Sequence, residues 1–291
     1  MSLERVAVLG GGLIGSGIAE AIAVAGLPVV LREIDERAVN AARERIEGSL
    51  ERAVARRKLS ADERHRALAG IEFTTDLGDL AGVELVVEAV PEDADLKIAV
   101  LAEAAGIVGP HAILASNTSS IPIAQIAAGV PSPERVVGLH FFSPVPVMRL
   151  VEVVVALDTS AQTVTTASAF AERIGKRAIE TRDRSGFIVN MLLVPYLMAA
   201  VRMYEEGFAD REAIDEAMRL GCGHPMGPLE LCDLIGLDVL HSVCESLYEE
   251  FKQPEYAPPP LLKRMVASAR LGRKSGVGFY SYARESVRLA A

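Results

Sequence analysis

Residues 5–26 read "RVAVLGGGLIGSGIAEAIAVAG", and this stretch decides the architecture. Residues 5–9 are a short β-branched run, the composition of a buried strand. They pass directly into Gly10-x-Gly12-x-x-Gly15. Leu13, Ile14, Ile18, Ile22 and Ala25 then recur at helical spacing, and Gly26 ends the segment. A strand that turns through three spaced glycines into a helix makes a phosphate cradle. Gly10 permits the tight turn, Gly12 removes a Cβ that would block a pyrophosphate, and Gly15 lets helix and strand approach closely. The phosphates would sit on the helix N-terminus, where free N–H groups and the dipole favour negative charge. "LPVVLRE" follows as a second strand, and Glu33 lies at its end, where an acid accepts from an adenosine ribose hydroxyl. That carboxylate repels a 2′-phosphate and favours NAD over NADP, although the neighbouring Arg32 is able to take a phosphate.

Beyond this unit, strand-like and helix-like segments alternate. A long charged helix is expected over roughly 36–58. Then come "GIEFTTDL", "ELVVEAV", a helix over about 95–106, "AILAS", a helix over about 121–128, and "RVVGLHFF". Short apolar strands alternating with helices imply a Rossmann-type, doubly wound, mostly parallel α/β sheet. After residue 187 nearly everything reads helical. The boundary is placed in the charged "RDRSG", giving a dinucleotide-binding domain over 1–184 and an all-helical domain over 185–291.

The totals exclude several classes of function. The chain has 291 residues, 50% of them hydrophobic, enough for two cores. Its formal net charge of −9 gives no basic field, so nucleic acid is not an expected partner. Cys222, Cys232 and Cys244 form no even framework and no C-x-x-C pair, which suits free thiols in a reducing compartment. The apolar run 187–203 is interrupted by Asn190, Pro195 and Arg202 and does not read as a membrane span. No charged leader precedes the first strand. A soluble cytoplasmic protein is expected.

A second stretch, "GLHFFSPVPVMRLVEVVV" over 138–155, carries the chemistry. Glu152 stands in an otherwise apolar run. A buried carboxylate is costly unless it has a partner, and His140, on the far side of the turn-forming "SPVP", is a partner with chemistry attached. Read singly, each residue has a structural explanation: a core histidine bonded to backbone, a salt-bridged glutamate. A carboxylate behind an imidazole fixes its tautomer and makes it a general base.

With "GGGLIGSGIAEAIAVAG", "VEAVPEDADLK", "ASNTSS", "GLHFFSPVPVMRLVEVV", "SGFIVNMLLVPYLMAA", "LGCGHPMGPLELCDLIGLD" and "GRKSGVGFYSY" in order, the chain resembles the L-3-hydroxyacyl-CoA dehydrogenase family over essentially its whole length. The bacterial 3-hydroxybutyryl-CoA dehydrogenases are similar in length, and no hydratase domain is expected. The resemblance implies NAD as cofactor and a short-chain 3-hydroxyacyl-CoA as substrate. It implies His140 as catalytic base and Glu152 as its orienting carboxylate, with Ser119 and Asn190 hydrogen-bonding the substrate. It places Gly10, Gly12, Leu13, Ile14, Gly15, Glu33, Glu92, Lys97, Asn117, Ser119, Ser143 and Lys274 in the cofactor site. At Ser143 the family usually has Asn, so a shorter hydroxyl stands near the cofactor. A homodimer through the helical domain is implied too.

An acidic protein that binds an acidic ligand needs a local basic patch. Arg45, Ser49, Arg52 and Arg56 fall on one helical face, opposite Ile46, Leu50 and Ala53. The resemblance puts a serine and a cation at Ser49 and Arg56 on CoA phosphates and adenine, and Arg52 joins them. The structural alternatives are plain: a solvated face laced with Glu44, Glu47 and Glu51, and a helix cap at Ser119 or Ser120. Cys222 and His224 lack zinc spacing, and no metal is expected. Two rival functions stay open: a free hydroxy-acid dehydrogenase of the L-gulonate 3-dehydrogenase type, and a non-catalytic nucleotide-binding protein like the family's lens crystallins.

Overall fold

The computed structural model describes residues 3–282. It divides into two compact units, the first running to Arg184 and the second beginning at Ser185.

The first unit is built on an eight-stranded sheet in the order β3-β2-β1-β4-β5-β6-β7-β8. The strands are β1 (Val6–Leu9), β2 (Val29–Arg32), β3 (Ile71–Thr74), β4 (Leu85–Glu88), β5 (Ile113–Ser116), β6 (Val136–Phe141), β7 (Leu150–Val155) and β8 (Arg177–Arg182). All neighbours run parallel except β6 and β7. The order reverses between β2-β1 and β4, the switch point where such sheets bind ligands beyond their carboxyl ends. The central strands are buried along their whole length. Their continuous apolar runs are what a sheet covered on both faces demands.

Helices α1 (Leu13–Val24), α2 (Glu36–Ala55), α3 (Ala61–Ala69), α4 (Ala94–Ala105), α5 (Ile123–Ala128) and α6 (Ala161–Arg173) cover it. Ile18 and Ile22 of α1 and Ile46 and Leu50 of α2 are fully buried, and truncating any one to Ala would cost about 2–5 kcal/mol. The long charged helix ends earlier than its composition suggests. Arg56 is its C-cap and Arg57 turns into the left-handed region at φ 57°. The next helix, α3, starts at a full capping box, Ser60 with Glu63. Helix α5 is shorter than its pattern suggests, with Pro122 rather than a serine at its N-cap. Its cap comes from far away: Asp183 accepts from Ile123 N at 2.8 Å and Ala124 N at 2.7 Å.

The second unit is helical: α7 (Val189–Glu205), α8 (Arg211–Cys222), α9 (Pro228–Ile235), α10 (Leu237–Phe251) and α11 (Pro260–Ala267). Val194, Leu197, Val201, Leu229, Leu240 and Leu247 centre its core, with Cys232 and Cys244 buried among them as free thiols. Two buried aspartates tie it together. Asp215 accepts from Leu229 N and Glu230 N at the start of α9 (2.7 and 2.9 Å). Asp233 accepts from Phe279 N and Tyr280 N (both 2.9 Å) and from the Tyr282 hydroxyl (3.0 Å). A Cβ on Gly278 would lie 1.9 Å from the Asp233 carboxylate. The glycine-rich "GRKSGVGFYSY" thus packs on α9 by backbone approach. Among the described residues, no helix is long and apolar enough to cross a membrane.

Candidate active site

The glycine turn has the geometry its sequence demands. Gly10 sits at φ +93°, and a Cβ there would meet Ala89 O at 2.8 Å; one on Gly15 would lie 1.8 Å from Gly10 O. A Cβ on Gly12 would meet nothing within 4 Å. Gly12 is the N-cap of α1 without a side-chain cap, so the open space lies against uncapped helix N–H groups. Glu33 closes the far side: its Oε1 accepts from Gly11 N at 2.6 Å. Leu13, at the first helical position, is exposed, and Ile14 is half-buried. Open space at a helix N-terminus, with an acceptor at the end of β2, fits a dinucleotide pyrophosphate and ribose.

The carboxyl ends of β4 and β5 carry a second cluster. Glu88 and Ser116 pair in register, and Ser116 Oγ donates to Glu88 Oε2 at 2.6 Å. Lys97 from α4, only 1% exposed, donates to Glu88 Oε1 at 2.8 Å and to Val90 O at 3.2 Å, and its Nζ lies 3.2 Å from Glu92 Oε2. Glu92 Oε1 accepts from the Thr118 hydroxyl at 2.6 Å and from Ser119 N at 2.9 Å; the Ser119 and Ser120 hydroxyls lie at 3.3 and 3.1 Å. Burial pushes the Glu88 carboxyl up, by more than Lys97, Ser116 and Val90 N–H offset. Burial also raises Glu92, but there Lys97 and the β5–α5 donors prevail and hold it below the usual carboxylate range. Lys97 and Glu92 therefore stand as a braced pair under Ser119. Ser119 itself does not cap α5.

The third cluster spans β6 and β7. The hairpin register sets His140 directly opposite Glu152, so both side chains share one face of the sheet. The turn that fixes this register is closed by Val147 N and Met148 N on Pro144 O (2.9 and 3.0 Å). His140 Nδ1 and Glu152 Oε2 are 2.7 Å apart, and both residues are buried. The Phe142 ring packs at 4.5 Å from the imidazole. Asn117 Oδ1 accepts from Phe141 N at 2.8 Å, clamping the end of β5 to the strand that carries His140. Ser143 lies exposed just beyond.

On α2, Arg45, Arg52 and the C-cap Arg56 are exposed and Ser49 is half-buried. Arg45 is not spare: its Nη1 donates to Gly11 O at 3.1 Å. In the second unit, Asn190 is the second residue of α7, and Lys274 is paired with Asp238 at 2.6 Å. Among the described residues no group of His, Cys, Asp and Glu could hold a metal ion. The argument that isolates Glu152 from its sequence, a carboxylate inside an apolar run, applies equally to Glu88 in "ELVVEAV" and to Glu20 in "GIAEAIAVAG". Both are buried. That signal finds them, although the motifs that contain them gave neither a role.

Comparison with known proteins identifies the family. Residues 5–184 match the family model described as 3-hydroxyacyl-CoA dehydrogenase, NAD binding domain, and residues 186–282 match its C-terminal domain. The chain is 52% identical over 283 residues to a 3-hydroxybutyryl-CoA dehydrogenase of Mycobacterium tuberculosis, covering 97% of this chain and 99% of that one. The crystal structure of M. tuberculosis FadB2 superposes with a TM-score of 0.96 at 52% identity, covering 97% of this chain and 100% of the other. That of the (S)-3-hydroxybutyryl-CoA dehydrogenase PaaH1 from Ralstonia eutropha gives 0.92 at 44%, with the same coverage. A nucleotide loop at the switch point, followed by a buried histidine–carboxylate pair and full-length matches of this strength, places the chain in one lineage: it belongs to the 3-hydroxyacyl-CoA dehydrogenase family.

Proposed function

We propose that the protein interconverts short-chain (S)-3-hydroxyacyl-CoA, with 3-hydroxybutyryl-CoA as the type substrate, and the corresponding 3-oxoacyl-CoA. The observation that carries this is the 2.7 Å contact between His140 Nδ1 and Glu152 Oε2, in a buried hairpin beside the β5 loop. NAD, bound at the glycine turn and Glu33, supplies the hydride acceptor in one direction and its reduced form the donor in the other. The residues of the chain handle the proton. With Nδ1 engaged by Glu152, proton exchange with the substrate oxygen falls to Nε2 of His140. Glu152 fixes that tautomer and stabilises the imidazolium formed when the alcohol is oxidised. Ser119 and Asn190 hydrogen-bond the reacting oxygen or the thioester and polarise the carbonyl during reduction. Glu92, braced by Lys97, holds the Ser119 turn in place.

Ser49, Arg52 and Arg56 grip the phosphates of CoA, where a guanidinium fork suits the charge. The exposed apolar side chains Leu192, Phe208 and Leu220 of the second unit support a homodimer through that unit, to be checked by light scattering.

The decisive experiment follows NADH oxidation with acetoacetyl-CoA. His140→Gln should lower turnover by about 10²–10⁴-fold with NADH affinity intact. A wild type that binds NADH but does not turn over acetoacetyl-CoA rejects this reading. Arg56→Glu should raise KM for the CoA ester about tenfold and leave KM for NADH unchanged. A free hydroxy acid as true substrate would make that charge reversal silent.

A further inference from the structure

Gly11, in the middle of the glycine turn, is held from three sides. Its N–H donates to Glu33 Oε1 at 2.6 Å. Its carbonyl accepts from Ser16 Oγ at 2.7 Å and from Arg45 Nη1 at 3.1 Å. Ser16 lies inside α1 and is only 4% exposed, whereas Arg45 is an exposed residue of α2. Arg45 reaches the turn because α2 lies directly on it. A Cβ on Gly11 would stand 2.5 Å from the Ala42 Cβ, one helical turn before Arg45, and 3.0 Å from Leu31. The carbonyl of Gly11 and the N–H of Gly12 belong to one peptide. That peptide is trans and planar, so the two groups point in opposite directions. Holding Gly11 O toward Ser16 and Arg45 therefore turns Gly12 N–H away from both. Gly12 is the N-cap of α1, and its own Cβ position is open, with nothing within 4 Å.

We propose that Arg45 is a positioning residue for the dinucleotide rather than a part of the CoA grip: with Ser16 it locks the Gly11–Gly12 peptide so that Gly12 N–H faces the pyrophosphate of NAD. This rests on NAD occupying the glycine turn and does not need the acyl-CoA reading. A peptide between two glycines is the freest kind in a chain, since neither neighbour has a Cβ to restrict it. Left loose, it would have to be ordered at every binding event, at a cost in affinity. Two donors on one carbonyl, the first from a buried hydroxyl and the second from a cation, order it beforehand. They also polarise the peptide, which makes its N–H the stronger donor to an anion. The basic face of α2 is thereby divided. Arg45 serves the nucleotide turn, and Arg52 and Arg56, two and three turns further on, remain for the phosphates of CoA.

The test compares wild type, Arg45→Met and Ser16→Ala. Arg45→Met keeps the aliphatic stem, removes the donors and, being on the surface, should leave the melting temperature nearly unchanged. Dissociation constants are measured for NADH by fluorescence and for ADP-ribose by calorimetry. ADP-ribose keeps the pyrophosphate and lacks the nicotinamide. KM for acetoacetyl-CoA is measured alongside at saturating NADH. Both variants should weaken NADH and ADP-ribose alike, by about three- to tenfold. In Arg45→Met, kcat and KM for acetoacetyl-CoA should not change. A raised KM for acetoacetyl-CoA with NADH affinity intact returns Arg45 to the CoA grip and overturns the inference. A loss of NADH affinity in Arg45→Met but not in Ser16→Ala also overturns it, because the arginine then acts by its charge and not through the peptide. If Ser16→Ala does not fold, salt decides. A loss in Arg45→Met that persists in about 0.5 M KCl supports the locked peptide, and one that vanishes there overturns it. The titrations need no turnover, so failure of the acyl-CoA reading leaves them valid.

Discussion

Two buried carboxylates of the nucleotide-binding unit, Glu152 on β7 and Glu88 on β4, solve the same problem with different partners. Each sits in an apolar strand and would be costly alone. Glu152 is met by His140 Nδ1 at 2.7 Å, Glu88 by Lys97 Nζ at 2.8 Å. In the proposed reaction the first pair exchanges a proton with the substrate, a task suited to an imidazole. In the second, Lys97 braces Glu92 and through it the Ser119 turn. The lesson is that burial alone does not mark a catalytic acid. Under the proposed function, the chemistry of the partner, imidazole or ammonium, separates the cluster that reacts from the one that holds.

The comparison breaks if either pair behaves like the other. The largest effect is expected at the reactive pair. Glu152→Gln keeps the shape but removes the charge and the tautomer control, and should lower kcat by about 10²–10⁴-fold. Its melting temperature should move little beside that loss, as differential scanning calorimetry would show. Lys97→Met is the counterpart. It leaves Glu88 buried without its cation and should destabilise the unit by about 3–5 kcal/mol. Adding Glu88→Leu to it should restore most of that stability, because an apolar pair of similar volume is often neutral. Single and double mutants compared in urea would measure the coupling.

A smaller, pH-dependent effect sharpens the contrast. The Glu88 carboxyl is already raised in the folded protein, with burial as the main cause. The folded state therefore holds that proton more tightly than the unfolded chain. The sign follows: the cost of ionising Glu88 is absent below the ordinary carboxylate pKa and grows as pH rises. Lys97→Met removes the strongest opposing charge, so its instability should be greater at pH 8 than at pH 5. A melting-temperature deficit independent of pH would show that lost packing, rather than the orphaned charge, dominates.

Much of this was legible in the chain before any coordinates. The turn at Gly10 and Gly15 is written locally, since steric demand at the glycines and helical periodicity over 13–25 involve near neighbours only. The hairpin that pairs His140 with Glu152 is nearly as local: twelve residues and a proline-rich turn bring them together. The helix assignment at 36–58 ran too far because charge composition continues past Arg56 while the backbone does not. The serines of "SNTSS" suggested a cap for α5. Asp183, sixty residues away, supplies it instead, and Thr118, Ser119 and Ser120 turn to Glu92.

By itself the sequence determined the sheet with its nucleotide turn, the helical second half, and the candidate pair His140 and Glu152. Each follows from periodicity, backbone conformation or a short turn, which act between residues close in the chain. Only the tertiary structure decided the partners of the other buried acids, such as Lys97 and Ser116 for Glu88. A buried charge must be satisfied by whatever the packing brings near. Packing joins residues at arbitrary separations, so the demand for a partner is visible in the sequence and the partner is not.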